Sequence, residues 1–195
     1  MPSLSRDAKL ERLLGAAAGV FARKGYHATT MRDLARASGM SLAGMYHYVA
    51  GKEEILYLIQ RDSFERVAER ARQALAGVRD PEGRLRAFMQ HHVAFFAAHM
   101  SEMKVLSHEA ESLTGDRDAE VRALKRRYVD LLAETLGAAG ADDPRTAAYA
   151  LFGMMNWIYT WYRPDGRLSA DGLADAFVRI ALHGVLAPAG SVPAP

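Results

Sequence analysis

The 195-residue chain contains no cysteine, which excludes a disulfide framework, a thiolate nucleophile and every cysteine-ligated metal site. Uninterrupted apolar runs are short. None approaches the roughly 20 residues needed to span a bilayer. The first residues are polar and lack the apolar stretch of a secretory leader, so a soluble, cytoplasmic protein with no membrane partner is expected. Valine and isoleucine are sparse, and no segment alternates with period two for long. A sheet is therefore not expected, and Ala, Leu, Arg and Glu favour helix instead.

Charge is unevenly placed. Residues 1–52 hold eight Lys and Arg against three Asp and Glu, whereas the whole chain carries a net +2, which leaves the remainder mildly acidic. A basic end on an acidic body suits contact with a polyanion. A solvated helix face with lysines and arginines would give the same balance.

The pattern predicts an all-α fold of about nine helices. The first spans 6–24, with Leu10, Leu13, Leu14, Ala17 and Phe21 on one stripe and Gly25 ending it. Thr30 and Asp33 form a capping-box pair at the start of a second helix, which stops at Ser38 and Gly39. Ser41 caps a short third helix through about His47. Lys52 opens a long fourth helix running towards Gly77. Asp80–Pro81 and Asp143–Pro144 each place a cap before a first-turn proline. Further helices are expected at about 81–98, 101–113, 116–138, 144–162 and 170–186, the last capped by Ser169. Three segments follow: a head at 1–51, a helical body at 52–187 and a Pro- and Ala-rich tail at 188–195.

Residues 31–41 (MRDLARASGMS) have helix-turn-helix spacing. Ala35 is small where two helices would cross, Gly39 permits a positive φ in the turn, and Leu34, Met40 and Met45 can form a small core with Phe21. A structural hairpin can share this spacing. The run 41–56 (SLAGMYHYVAGKEEIL), preceded by 21–26 (FARKGY) and 29–35 (TTMRDLA), resembles the TetR family of regulators. The resemblance covers roughly the first 60 residues and implies a three-helix DNA-binding head, a helical ligand domain and a homodimer closed by the last two helices. Two positions depart from the family pattern. Val49 replaces a usual Phe, and Gly44 a usual Ser or Thr, so base preference is not inherited.

Double-stranded operator DNA is thus the expected partner. Thr30 at a helix N-terminus and Lys52 are candidates for phosphate, with Ser41 beside them. Tyr46 and His47 can reach backbone oxygens, although Tyr46 could instead pack between the first and fourth helices. Base reading falls to Leu42, Ala43 and Gly44, with Arg32 reaching in from the second helix. Such small side chains favour thymine-methyl contact and groove shape over hydrogen bonds.

The segment 150–162 (ALFGMMNWIYTWY) is apolar almost all round and needs cover on two sides. The last helix has two stripes, one of Leu173, Phe177 and Ile180, the other of Ala174, Val178, Ala181 and Val185. A four-helix interface between two subunits accounts for both. Phe95, Phe96, His99, Met103, Tyr128, Phe152, Asn156 and Trp157 are candidates for an effector pocket, with plain core as the alternative for each. Residues 107–110 (SHEA), Asn156–Trp157 and 161–164 (WYRP) are similar to a TetR subgroup controlling fatty-acid, phenylacetate and sterol breakdown. That similarity implies an acyl-coenzyme A effector, with Arg122, Lys125, Arg126, Arg127 and Arg163 available for its phosphates. A hydrophobic drug-like molecule or a free fatty acid, acting on efflux or stress genes, is the alternative. No cofactor, metal or catalytic group is expected. His91, His92, His99 and His108 lack metalloprotease spacing, a paired acid or a phosphate-cradling loop. A helical adaptor would explain the bundle but not the basic head.

Overall fold

In the computed structural model, which describes residues 5–109 and 111–184, every described element is helical. The order is α1 (Arg6–Lys24), α2 (Met31–Ser38), α3 (Leu42–Met45), α4 (Lys52–Leu75), α5 (Pro81–Ala98), α6 (Met100–His108), α7 (Gly115–Ala138), α8 (Pro144–Asn156), α9 (Ile158–Trp161) and α10 (Ala170–His183). Val185 of the expected apolar stripe, the residues of the tail and Ala110 lie outside the described residues.

Local signals set most boundaries. Gly25 (φ 81°) ends α1, and its N–H returns to the Phe21 carbonyl. Both halves of the Thr30–Asp33 capping box form. Asp80 accepts from the Gly83 N–H at 2.9 Å, Asp143 from Thr146 at 3.1 Å and Ser169 from Gly172 at 3.1 Å. Each cap satisfies an N–H that the helix itself leaves without a partner.

Four helix ends differ from the sequence expectation. The third helix, expected through about His47, ends at Met45, after which the His47 N–H closes a tighter turn to the Gly44 carbonyl at 3.3 Å. The helix expected through residue 113 stops at His108, because the Glu109 carboxylate turns back to accept the Tyr26 N–H at 3.0 Å and the Ser112 hydroxyl at 2.8 Å. The helix expected over 144–162 is interrupted at Trp157. There the Trp157 carbonyl accepts the Thr160 N–H at 3.1 Å, closing a tighter three-residue turn, and the Thr160 hydroxyl at 2.7 Å. The last described helix ends at His183, before Gly184 (φ 78°), rather than at residue 186.

Among the described residues, those within 5–66 and 99–126 form one compact unit, and those within 67–98 and 127–184 form another. In the first unit, Leu13, Ala17, Phe21, Leu34, Met45, Ile55 and Leu56 are buried together, and Val105, Leu113 and Val121 complete that core. The DNA-binding head anticipated for 1–51 is therefore packed with residues far along the chain. In the second unit α10 packs along α5, where Gln90 donates to Asp175 at 2.9 Å. Phe88, Met89, Leu132, Met155, Ile158 and Val178 are buried in its core.

The turn between α2 and α3 is built on Gly39, whose φ of 68° is left-handed. Arg12 donates through Nε and Nη2 to the Ser38 carbonyl at 3.0 and 2.6 Å, and a Cβ at position 39 would lie 2.6 Å from Nη2. Gly39→Ala should therefore combine backbone strain of roughly 1–2 kcal/mol with loss of the Arg12 bridge, and lower the urea midpoint. Gly39→Asn should recover part of that loss, because asparagine tolerates the left-handed region.

Candidate functional site

In the first unit α3 presents an open face. Leu42 and Tyr46 are exposed at 36% and 53%, and Ala43 and His47 are exposed as well. The exposure of Tyr46 rules out its packing between α1 and α4. Ser41 caps the helix by accepting the Gly44 N–H at 3.0 Å. A Cβ at Gly44 would come within 2.9 Å of the Ser41 oxygen, so the glycine and the cap are matched. Beside this face lies a wide groove of about 690 Å³ lined by Arg6, Lys9, Ser41, Gly44, His47 and Tyr48. Arg6 stands 6.0 Å above the Tyr48 ring. A second notch of about 280 Å³ gathers Arg23, Lys24 and Arg36 around Asp33. Positive charge from Arg6 and Lys9 thus lies beside the exposed helix, as a polyanion site requires.

Arg6, Lys9, Arg23 and Arg36 belong to the basic surplus of the sequence, which does not locate them. Their alignment depends on how α1 crosses α2 and α3, which no spacing rule reports. Arg32 is exposed on α2, as expected.

Thr30 and Lys52 are engaged within the unit. The Thr30 N–H and hydroxyl both donate to Asp33 Oδ2, at 2.9 and 2.8 Å. Lys24 holds the same oxygen at 2.6 Å, and its hydrogen bond, followed by those from Thr30, keeps the Asp33 carboxyl far below the ordinary carboxylate range. The Lys52 ammonium donates to the carbonyls of Tyr26 (2.8 Å), Thr29 (3.0 Å) and His27 (3.3 Å), and stands 4.4 Å from the Tyr26 ring centroid. Three N–H donors thus meet three acceptors. What Lys52 offers a phosphate in this arrangement is charge rather than a spare donor.

In the second unit Phe95, Phe96, Tyr128 and Phe152 are all buried. Phe96, Tyr128 and Phe152 surround His92, which sequence alone leaves as a core or surface histidine. Its ring centroid lies 4.8 Å from that of Phe96, 5.3 Å from Phe152 and 5.9 Å from Tyr128. His92 Nε2 is 3.1 Å from Asn156 Oδ1, and Nδ1 is 3.0 Å from the Tyr128 hydroxyl. An amide oxygen only accepts, so Nε2 carries the proton and Nδ1 receives the one from Tyr128. Burial holds the His92 pKa down to about 3 and pushes the Tyr128 hydroxyl well up. The result is a neutral Tyr–His–Asn relay among aromatic rings in which both His92 nitrogens have partners. Its sequence signal is weak, since only the spacing of His92 from Phe88 and Phe96 places it on the inner stripe of α5.

Phe95 packs edge-on against Phe96, with ring centroids 5.1 Å apart. Met103 is buried in the first unit, and His99 precedes α6 there. Trp157 is 59% exposed, and Tyr149 on α8, Trp161 on α9 and Ile180 on α10 are exposed as well. Lys125, Arg126, Arg127 and Arg163 are not buried, and Arg122 is paired with Asp118 at 2.8 Å. Among the described residues no group of three or more His, Asp or Glu is arranged to hold a metal ion, and no helix is long and apolar enough to cross a membrane.

Residues 13–57 match the family model for bacterial regulatory proteins of the tetR family, and residues 78–185 match the tetracyclin repressor-like C-terminal domain. The chain belongs to the TetR family. TetR proteins are transcriptional regulators rather than enzymes. The HTH-type transcriptional repressor KstR2 of Mycobacterium tuberculosis is 27% identical over 184 residues, covering 89% of this chain and 90% of that protein. AibR, solved in complex with isovaleryl coenzyme A and operator DNA, superposes with a TM-score of 0.80 at 32% identity, covering 88% of this chain and 97% of that one. The TetR regulator PfmR of Thermus thermophilus gives 0.82 at 33% identity, covering 90% of this chain and 100% of that one. The helix-turn-helix and the all-helical body are thus those of a TetR regulator.

The relay predicts an acid-sensitive stability. The folded-state pKa of His92 lies below the ordinary value of an unfolded histidine, so on acidification the unfolded chain takes the proton first. Stability is then lost as pH falls from about 6.5 towards 3, by up to about 1.4 kcal/mol per unit. Burial also lowers the half-buried His91, which adds to the slope. His92→Gln should flatten the pH dependence of the urea midpoint between about 7 and 4.5 without abolishing it.

Proposed function

We propose that this TetR regulator is a repressor that binds a palindromic operator as a homodimer and releases it on binding an acyl-coenzyme A thioester. The observation that carries the DNA half is the exposed face of α3 beside the groove lined by Arg6, Lys9 and His47. Leu42, Ala43 and Gly44 meet base edges, Tyr46, His47 and Ser41 meet the backbone, and Arg32 reaches in from α2. Thr30 and Lys52 stiffen and charge the rim. Phosphate contacts fix position, and base contacts supply the reading. The DNA-contacting groups belong to residues 1–51, and effector and dimer functions to 52–187.

The exposed Tyr149, Trp157, Trp161 and Ile180 form the apolar material of the dimer contact. Aromatic side chains left exposed are the usual substance of an interface core. A twofold dimer reads half-sites about 34 Å apart.

The effector reading is supported by the relay and by the relatives. An acyl chain matches the phenyl-lined core around His92, and a thioester that displaces one link of the Tyr128–His92–Asn156 relay takes the freed group as its polar handle. The rings of Phe96, Tyr128 and Phe152 lie against His92, so entry displaces ring contacts. That couples occupancy to the packing of α5, α7 and α8, and a ligand can shift a conformational equilibrium only through such differential contacts. Arg126, Arg127 and Arg163 are charges within reach of solvent for the coenzyme phosphates. The AibR complex holds a thioester of this class.

The test is an electrophoretic shift on the gene's own upstream DNA, titrated with acyl-coenzyme A thioesters and the matching free acids. Specific binding released by thioesters alone is the expected result. Binding that no thioester releases overturns the effector assignment, and the absence of duplex binding at low salt overturns the regulator reading for this operator. Arg32→Ala should weaken specific binding by about 1–3 kcal/mol if it reads a base. If it meets only phosphate, it should instead reduce the salt slope by about one.

A further inference from the structure

The first unit holds a cavity of about 330 Å³ bounded by α1, α4 and α6, and its lining is acidic where the DNA face is basic. Glu11 of α1, Asp62 and Glu65 of α4 and Glu102 of α6 line it, with Arg66 as the cation among the lining residues. Arg61 offsets part of this acidity, bonding Asp62 at 2.8 Å and standing 3.8 Å from Glu65. Glu11 and Glu102 form no ion pair among the described residues.

A second observation is independent of charge. Ser63 lines the same cavity and is 1% exposed, and its hydroxyl is the one buried side-chain polar atom among the described residues with no hydrogen-bond partner. Ile59, Asp62, Ser63 and Arg66 recur at three- and four-residue steps, so this is one face of α4. A buried hydroxyl without a partner is rare in a native fold and points to a missing one. Helices seldom place a serine inside without returning its proton to the preceding turn.

Gly15 adds a third. It lies in the middle of α1 at an ordinary helical φ, where alanine would suit the helix better. A Cβ there would meet nothing within 4 Å. The missing side chain keeps the cavity open beside the apolar Leu14 and Ile59.

We propose that this cavity is a second effector site that takes a short aliphatic polyamine, with its ammonium groups on Glu11, Glu102 and the Ser63 hydroxyl and its methylenes against Leu14 and Ile59. The carboxylates are too dispersed to form a metal-holding group, whereas cations separated by methylenes match dispersed acids. The volume stands at the small end of ligand cavities. The ammonium donates, and the carboxylates and the serine oxygen accept. Occupancy ties α1 to α4 and α6, the helices behind the DNA-contacting face.

The experiment is isothermal titration of the full-length protein, free of DNA, with spermidine at fixed ionic strength and with magnesium chloride as the control. Saturable one-to-one binding is expected for spermidine and not for magnesium. Glu11→Gln with Glu102→Gln, and separately Gly15→Leu, which fills the cavity without changing charge, should each weaken it at least about tenfold. Unaltered circular dichroism and operator binding in these variants would show that the fold persists. Should Gly15→Leu fail to fold, Ser63→Ala, which removes an acceptor from a small buried site, takes its place with weaker binding expected. The proposal is overturned if no spermidine binds, if magnesium gives the same isotherm, or if the folded variants bind as the parent does.

Discussion

The helix-turn-helix is held in place by one ammonium group. Lys52 gathers the carbonyls of Tyr26, His27 and Thr29 and covers the Tyr26 ring. The loop after α1 makes a turn of its own, Thr29 N–H to the Tyr26 carbonyl at 3.1 Å, and its remaining acceptor capacity is met from outside it. The Glu109 carboxylate takes the Tyr26 N–H from the other side, and Gln60 fixes the Glu109 carbonyl at 3.1 Å. A cation and an anion thereby clamp the same loop to α4 and to the end of α6. The orientation of α2, and through Gly39 that of α3, follows from where this loop is pinned.

What can be read from the sequence is local. The capping residues Thr30, Ser41, Asp80, Asp143 and Ser169 act within three residues of themselves, and all five do as their types suggest. The apolar stripe of α1 and the glycine turn at Gly39 are local as well. Several departures have distant causes. Glu109 leaves its helix to reach Tyr26, 83 positions away. Lys52 reads as a phosphate clamp when only its helix is considered, and as a loop pin once Tyr26 is beside it. His92 is indistinguishable from any other core histidine until Tyr128 and Asn156 meet it. Of the eight effector candidates, Phe96, Tyr128, Phe152 and Asn156 converge on His92, whereas His99 and Met103 belong to a different packing unit.

The two units handle buried polarity differently. Around His92 each ring nitrogen and the facing Asn156 and Tyr128 groups are satisfied, and neutrality is enforced by burial among phenyl rings. Such a network specifies one arrangement of the helices and resists partial occupation. Ser63 in the first unit is the reverse case, with an oxygen enclosed and nothing offered to it. The first is a completed circuit, and the second an open valence at the edge of an acidic hollow.

The core of the head closes only with Val105, Leu113 and Val121, residues some way beyond the end of the sequence motif that marks it. A head excised at the motif boundary would expose the undersides of Leu13, Phe21, Ile55 and Leu56 to water. Exchange of DNA specificity between relatives by transplanting the N-terminal segment must therefore carry the α6–α7 corner along, or choose a recipient whose corner has the same relief. The unit of inheritance for operator choice in this protein is a three-dimensional patch assembled from two stretches of chain.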